Sequence, residues 1–315
     1  MKAKYHLPGL FEFYEFYKEF LPLFYEHRDY FYDWCDIGSI YGAPSDCIWG
    51  GGRVGFGEDN AWDVFNLMSE YKISSRLTFS NSLLREEHLS DYKCNKLCEL
   101  FSRGNNRDNS SDNKHNENNG DNESIRNGVI IYSDILIDYI SEKYPDLFFV
   151  SSTTKVITDF DKFVDELNRD EFEYVVPDFR LNKQIEELSA LHDSQKNKVE
   201  FLVNECCNFY CTDRKACYEN VSHKSLGDSV SDHICRAPRA KEGYVFSEAM
   251  NNPGFISVED IQKIYMPLGF SNFKIEGRSL GTAMILEFLL YYMTKPEHQL
   301  QVREKIYLDA SLDLF

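Results

Sequence analysis

The stretch from Asn204 to Cys235 concentrates soft donors. Cys207, Cys211, Cys217 and Cys235 stand in the spacing C-x3-C-x5-C-x17-C, with Cys206 directly before the first. Short first gaps let one loop turn present two thiolates to one centre, and the longer excursion to Cys235 closes a cage from another side. Thiolates suit tetrahedral zinc or an iron–sulfur cluster, and either would deprotonate them. The spacing matches neither the paired C-x2-C of zinc ribbons nor the common ferredoxin run, so zinc, a cluster and a set of buried free thiols all stay open. The segment is polar and broken, which favours a bound centre, and Cys206 or His223 can replace one of the four ligands.

A second set of residues sits just past apolar runs. Asn204 and Glu205 follow one run, Glu276 and Arg278 another, Asp178 and Arg180 a third and Asn81 a fourth, while Arg53 lies beyond a fifth. If these runs are parallel strands, their polar followers converge at one mouth. Glu205 and Glu276 then form a carboxylate pair for proton transfer, with Asn204 and Arg278 beside them as further catalytic candidates. Arg53, Arg180 and Arg278 can clamp an anion by bidentate hydrogen bonds, and Asn81 and Asp178 complete the candidate substrate-binding set. Each also has a plainer role, since strand-end Asn and Asp cap helices and Arg pairs with Glu. The glycine run 50–52 reads as a tight turn, because it lacks the lysine and helix start of a phosphate loop. No G-x-S-x-G, H-E-x-x-H or papain-type signature is present.

The elements that must position these groups can be read from periodicity. Apolar or β-branched runs at 37–41, 75–79, 129–132, 147–150, 174–177, 199–203 and 272–275 alternate with helical patterns at 61–71, 133–143, 159–168 and 182–191. Alternating strands and helices imply parallel pairing through right-handed crossovers, hence an α/β single-domain (β/α) TIM-type barrel, with an open doubly wound sheet as the alternative. Residues 10–28 predict an amphipathic helix, and 1–34 is expected to be a helical extension outside the barrel. The barrel is expected over 35–295, with a C-terminal tail at 296–315. Two interruptions are expected inside it: an Asn/Asp/Ser-rich surface insertion at 104–127, too polar to offset the entropy of ordering, and the Cys-rich metal-binding region 204–252. His115 within the insertion has no neighbouring ligand. Cys94 and Cys98 share a helix face and read as packing, while Cys35 and Cys47 flank the 37–41 run without a defined role.

Composition narrows the partners. A formal charge of -18 over 315 residues repels a nucleic-acid polyanion and favours a small-molecule or peptide substrate, while leaving room for a local basic groove. The N-terminus lacks a secretory pattern and no segment is long and apolar enough for a bilayer, so the expectation is a cytoplasmic protein whose nine cysteines are thiols and ligands.

Asn204-Glu205, the spaced cysteines and Asn272-Phe273-Lys274-Ile275-Glu276-Gly277-Arg278 together resemble the collagenase-like peptidase family. Tyr41-Gly42-Ala43 with Gly50-Gly51-Gly52-Arg53, and Arg76-Leu77-Thr78-Phe79-Ser80-Asn81, extend the likeness over most of the chain. That family also includes proteins of oxygen-independent hydroxylation in ubiquinone biosynthesis and related RNA hydroxylation proteins. The resemblance implies a (β/α) barrel with four cysteines holding a [4Fe–4S] cluster near the C-terminal strand ends. At the position of Cys217 the family often carries a histidine preceded by an Arg, here Arg214; the cysteine either completes an all-thiolate cage or leaves the fourth ligand elsewhere. Three functions follow as expectations: an iron–sulfur oxidoreductase performing oxygen-independent hydroxylation; a non-catalytic partner or assembly subunit, suggested by the aromatic-rich N-terminal helix; and a peptidase-like hydrolase with structural zinc.

Overall fold

The computed structural model describes residues 1–52, 57–58, 60–104, 125–238 and 240–312. Eight parallel strands form one sheet: β1 (Ala3–Pro8), β2 (Cys35–Gly42), β3 (Ser74–Phe79), β4 (Gly128–Ile131), β5 (Phe148–Ser151), β6 (Phe172–Val175), β7 (Glu200–Leu202) and β8 (Asn272–Lys274). Their order is β6-β5-β4-β3-β2-β1-β8-β7, and a parallel bridge between Val175 and Val199 joins the two outer strands into a TIM-type barrel. The crossovers carry α1 (Tyr14–Glu26), α2 (Ala61–Glu70), α3 (Tyr92–Gly104), α4 (Asp134–Lys143), α5 (Phe160–Leu167) and the short α6 (Ile185–Ser189) and α7 (Asp193–Lys198). Between β7 and β8 run α8 (Arg214–Ser225), α9 (Phe246–Ala249) and α10 (Val258–Asp260); α11 (Thr282–Tyr292) and α12 (Gln299–Leu312) close the chain. No helix among the described residues is long and apolar enough to cross a membrane.

Strand side chains alternate between two environments, as the pleat requires. Tyr5, Leu7, Ile40, Leu77, Phe79, Val129, Ile131, Phe149, Phe201, Val203 and Phe273 join the large core between strands and helices. Tyr41, Ile130, Phe148, Val150, Val176 and Leu202 form a separate small cluster inside the barrel. The remaining buried strand positions are polar or charged: His6, Ser39, Arg76, Glu200, Asn272 and Lys274.

The segment 1–34 is not an extension. It supplies β1, which pairs with β2 on one side and β8 on the other, and α1 is the first crossover helix. β1 carries a period-two pattern, with Ala3, Tyr5 and Leu7 buried in the core and Lys4 and His6 between them, but the run is short and leads straight into the stronger helical pattern of 10–28. α1 packs Phe16, Phe20 and Phe24 at four-residue spacing onto the barrel, and Tyr17 anchors it by donating to the Pro8 carbonyl at 2.6 Å. Residues 296–315 likewise are more than a tail: α12 buries Val302 and pairs Arg303 with Glu287 of α11 at 3.0 Å. The 104–127 insertion falls largely outside the described residues.

Candidate active site

Because every strand is parallel, the residues past their C-terminal ends gather at one mouth. Beyond β7 and β8 this geometry rests on Asn204. Its side-chain amide donates to the Glu276 carbonyl at 3.0 Å and its side-chain oxygen accepts from the Glu276 N–H at 2.7 Å. Asn204 therefore extends the strand ladder by one rung and fixes where Glu276 stands.

Glu205, Cys206 and Glu276 then come together, each offering a ligand atom within 4.8 Å of the others. The Cys206 thiol donates to Glu276 Oε1 at 3.3 Å, and the Cys207 N–H donates to Glu205 Oε1 at 2.9 Å. Behind Glu205 lies Arg214, only 4% exposed, with Nη2 at 2.5 Å from Glu205 Oε2 and Nε at 3.4 Å from Asp178 Oδ2. Burial alone would raise the pKa of Glu205. The Arg214 guanidinium outweighs it, aided by hydrogen bonds from Glu276 and the Cys207 N–H, and brings it down to about 2. Glu205 is thus a fixed anion in hydrogen-bond contact with a second carboxyl, that of Glu276.

Inside the barrel, below this pair, lies an ionic cluster. Glu200, with no exposed surface, meets Arg76, the Lys274 ammonium at 3.0 Å and His6 Nε2 at 3.5 Å. Burial opposes the Glu200 charge, but His6, Lys274 and Arg76 outweigh it and hold its pKa well below the carboxylate range. His6 is pulled down to about 3, first by burial and then by Arg76, so at neutral pH it is uncharged and bridges Ser39 and Asn272. Burial lowers Lys274 to about 8. At neutral pH two cations thus face one carboxylate, and Lys274 also lies 3.7 Å from the centre of the Tyr41 ring.

Above the cluster opens a cleft of about 610 Å³, continuous with solvent. Lys274, Glu276 and Arg278 line it from β8, Thr78 and Ser80 from β3, and Tyr218 from α8. Gly52 also borders it, and a β-carbon there would strike the Arg278 guanidinium at 2.0 Å. Gly51 is pressed on β3 just as closely, since its β-carbon would stand 2.3 Å from the Ser80 carbonyl oxygen. The glycine run is therefore a close-packed turn at the rim.

Of the residues singled out by sequence, Glu276 and Arg278 line the cleft, and Glu205 touches Glu276 from behind. Asn204 is a positioning residue for Glu276. Asp178 and Arg180 pair with each other through two contacts of 2.6 and 3.0 Å, and Arg180 also donates to the Cys211 carbonyl at 3.0 Å. They hold the cysteine loop. Asn81 spends its amide on the carbonyls of Ile48 and Ser222 and its oxygen on the Leu83 N–H, which ties the rim turn to α8. Arg53 and His115 lie outside the described residues.

The cysteines divide by environment. Cys207 is half-buried, and burial followed by the Glu205 charge raises its pKa to about 12 against the pull of Arg214, with Cys211 near enough to add to the rise. Cys211 and Cys235 line one surface cavity of about 720 Å³ together with His233. Cys217 sits in the first turn of α8, one residue before the cleft-lining Tyr218. No three of Cys207, Cys211, Cys217 and Cys235 come within 4.8 Å of one another; the group that does is the one built on Cys206. His223 is exposed and bonded to Asp228 at 2.7 Å. Cys35, Cys47, Cys94 and Cys98 are buried, with the sulfurs of Cys47 and Cys94 3.0 Å apart.

Arg76, Glu200, Lys274, His6 and the orienting role of Arg214 were not anticipated from sequence. The signal for the first three was present in the alternations Arg76-Leu77-Thr78-Phe79, Glu200-Phe201-Leu202-Val203 and Asn272-Phe273-Lys274-Ile275, in which every second residue is apolar and the others face the barrel interior.

No protein-family model and no curated protein matches this chain. Among solved structures, it is similar to that titled "The Structure of the U32 Peptidase Mk0906", at 14% identity over 87% of this chain and 92% of that one, with a TM-score of 0.48. The barrel of this chain is established by its own strand pairing, independently of that likeness.

Proposed function

We propose that this chain is a barrel enzyme that takes a small-molecule or peptide substrate into the mouth cleft for redox chemistry of the oxygen-independent hydroxylation type, with a four-iron cluster held by Cys207, Cys211, Cys217 and Cys235. The observation that carries this reading is the place of Tyr218. It follows Cys217 directly in sequence and lines the same cleft as Glu276, so the helix that carries Cys217 borders the cavity that Glu276 faces.

Four thiolates are a donor set that either a cluster or a single zinc ion takes. Four thiolates around one zinc stand about 4 Å apart, a spacing that no three of these cysteines adopt. Around a cluster each thiolate takes its own iron, so the sulfurs sit farther apart. Bound there, the group would supply one-electron transfer or an open iron position. The chain's own residues do the rest: Arg214 keeps Glu205 ionised, Asn204 fixes where Glu276 stands, and Glu276 exchanges a proton with the substrate in the cleft. We place this activity in the cytoplasm, where thiols stay reduced.

Anaerobic purification tests the proposal. Iron and sulfide in near-equal amounts, a paramagnetic signal on reduction and loss of turnover in Glu276→Gln are expected; a colourless protein holding neither iron nor sulfide sinks it. A second reading is favoured by the carboxyl pair itself, since two carboxyls in contact, one of them held ionised by Arg214, can activate water as a peptidase does. That hydrolase requires stoichiometric zinc in a colourless protein and loss of peptide cleavage in Glu205→Gln and Glu276→Gln, and intact cleavage in both variants removes it.

A further inference from the structure

The cleft floor holds more positive charge than its surroundings neutralise, although the chain as a whole carries -18. Arg76 and Lys274 share the single carboxylate of Glu200, and His6 beside them is neutral. One rung higher, Arg278 is half-buried, lies 5.8 Å from the centre of the Tyr41 ring and makes no ion pair or hydrogen bond with its guanidinium among the described residues. Of the two carboxyls nearby, Glu205 is matched by Arg214, which leaves Glu276 as the carboxyl that shares the cleft wall with Arg278.

Two hydroxyls at the end of β3 border the same cleft as Lys274 and Arg278. Thr78 is 3% exposed and Ser80 1%, and neither side-chain oxygen has a hydrogen-bond partner among the described residues. Buried hydroxyls are ordinarily satisfied. The neighbouring hydroxyls are: Ser152 and Thr154 bond each other at 2.9 Å, and Tyr41 donates to the Ile275 carbonyl at 2.7 Å. The Arg278 guanidinium and the Thr78 and Ser80 hydroxyls thus have donors to spare in the cleft, beside the Lys274 ammonium, which shares Glu200 with Arg76 and keeps further N–H groups to donate.

We infer that the cleft contains an oxyanion subsite in which Lys274, Arg278, Thr78 and Ser80 bind a carboxylate or phosphate group of the substrate. The inference deepens the proposed function and rests on the mouth cleft being the substrate site. It adds the substrate class: a small molecule or peptide carrying a terminal oxyanion, held so that the rest of the molecule extends toward Glu276. A nucleic-acid strand is a poor occupant, since the surrounding surface repels a polyanion while the subsite accepts one anionic group.

The test is calorimetric titration of the full chain with inorganic phosphate and, separately, with succinate, at constant ionic strength. Saturable binding of at least one is expected, and the tighter of the two identifies the group. Arg278→Gln, at a half-exposed position, and Thr78→Val, which keeps the shape and removes the unpaired hydroxyl, should each weaken binding at least tenfold while melting as cooperatively as the parent. Binding unchanged in both variants, or no binding of either anion, overturns the subsite. Glu276→Gln separates this inference from the proposed function. Its anion affinity should be retained, so a variant that turns over normally yet still binds phosphate through Arg278 and Thr78 would remove the acid–base role and leave the subsite standing.

Discussion

Asn204 holds Glu276 by both faces of its peptide, donating to its carbonyl at 3.0 Å and accepting from its N–H at 2.7 Å. A side chain here does what a backbone does elsewhere in the sheet, so the loops after β7 and β8 are locked in register at the point where the carboxyl pair forms. Asn204→Ala strands one buried donor and one acceptor and should cost about 2–4 kcal/mol in urea unfolding. Asn204→Asp keeps the acceptor and should cost less. Because Asn204 positions Glu276 without touching substrate, both variants should lower kcat and shift the acid limb of its pH profile; a change in stability with an unaltered pH profile would reduce Asn204 to a structural role.

Arg214 serves two buried carboxylates, Glu205 and Asp178. Replacing it by leucine keeps only the apolar stem's bulk and removes the counter-charge, for a loss of about 3–5 kcal/mol at neutral pH. Without Arg214 the pKa of Glu205 rises from about 2 toward and past the ordinary value, because burial then acts unopposed. Glu205, left without its counter-charge, takes up a proton in acid, so the gap between parent and Arg214→Leu should narrow from pH 7 to pH 5. A gap constant over that range would show that Arg214 contributes packing and little charge.

The outward halves of seven strands were legible in the sequence because Leu77, Val129, Phe149, Phe201 and Phe273 sit in apolar or β-branched runs that bury against helices. β1 was not, although Ala3, Tyr5 and Leu7 alternate with Lys4 and His6, because the run is short, ends in a proline and is overshadowed by the helical pattern of 10–28. The convergence of Glu205 and Glu276 followed from parallel strands alone, as both stand just past a strand end. Which arginines were already occupied did not follow: Arg180 and Arg278 look alike in sequence, and only packing shows Arg180 bound to Asp178 and the Cys211 carbonyl while Arg278 faces the cleft. The cysteine spacing indicated a ligand-rich loop but could not show that Cys206 turns to the carboxyl pair and away from the others.

That division predicts different behaviour for neighbouring thiols. If Cys207, Cys211, Cys217 and Cys235 hold a cluster, Cys211→Ser should abolish the visible absorption of anaerobically prepared protein. Cys206→Ser should retain it, because the Cys206 sulfur bonds Glu276 at 3.3 Å. Equal bleaching in the two variants would assign Cys206 to the cage.

His6 should make the fold acid-sensitive. Its pKa is about 3 in the folded barrel and about 6.5 unfolded, so unfolding takes up a proton throughout that interval. Its contribution is fully present above pH 6.5 and is lost as the pH falls toward 3. The groups facing it are Glu200, Arg76, Lys274, Ser39 and Asn272, and of the charged ones none titrates between pH 4.5 and 6.5 when folded. Glu205, with a folded value near 2, adds a similar loss only below about 4.5. Urea midpoints should therefore fall between pH 6.5 and 4.5 in the parent and change less in His6→Asn; parallel declines would show that another group governs the window.

Glu200 ties the stability of the barrel to the affinity of its mouth. Its carboxylate is the only counter-charge within ion-pair distance of Arg76 and Lys274 among the described residues. Glu200→Gln leaves both cations buried without it, and a loss of about 3–5 kcal/mol is expected from breaking such a pair. The same change frees the Lys274 ammonium from its 3.0 Å contact and raises the positive potential of the cleft floor. Phosphate or succinate should then bind more tightly while the free protein melts at a lower temperature, and saturating anion should restore part of the lost stability, because a ligand that binds only the folded state shifts unfolding by mass action. Lower stability together with weaker anion binding would mean that Glu200 acts only by holding Lys274 in place, and that the charge it neutralises does not reach the cleft.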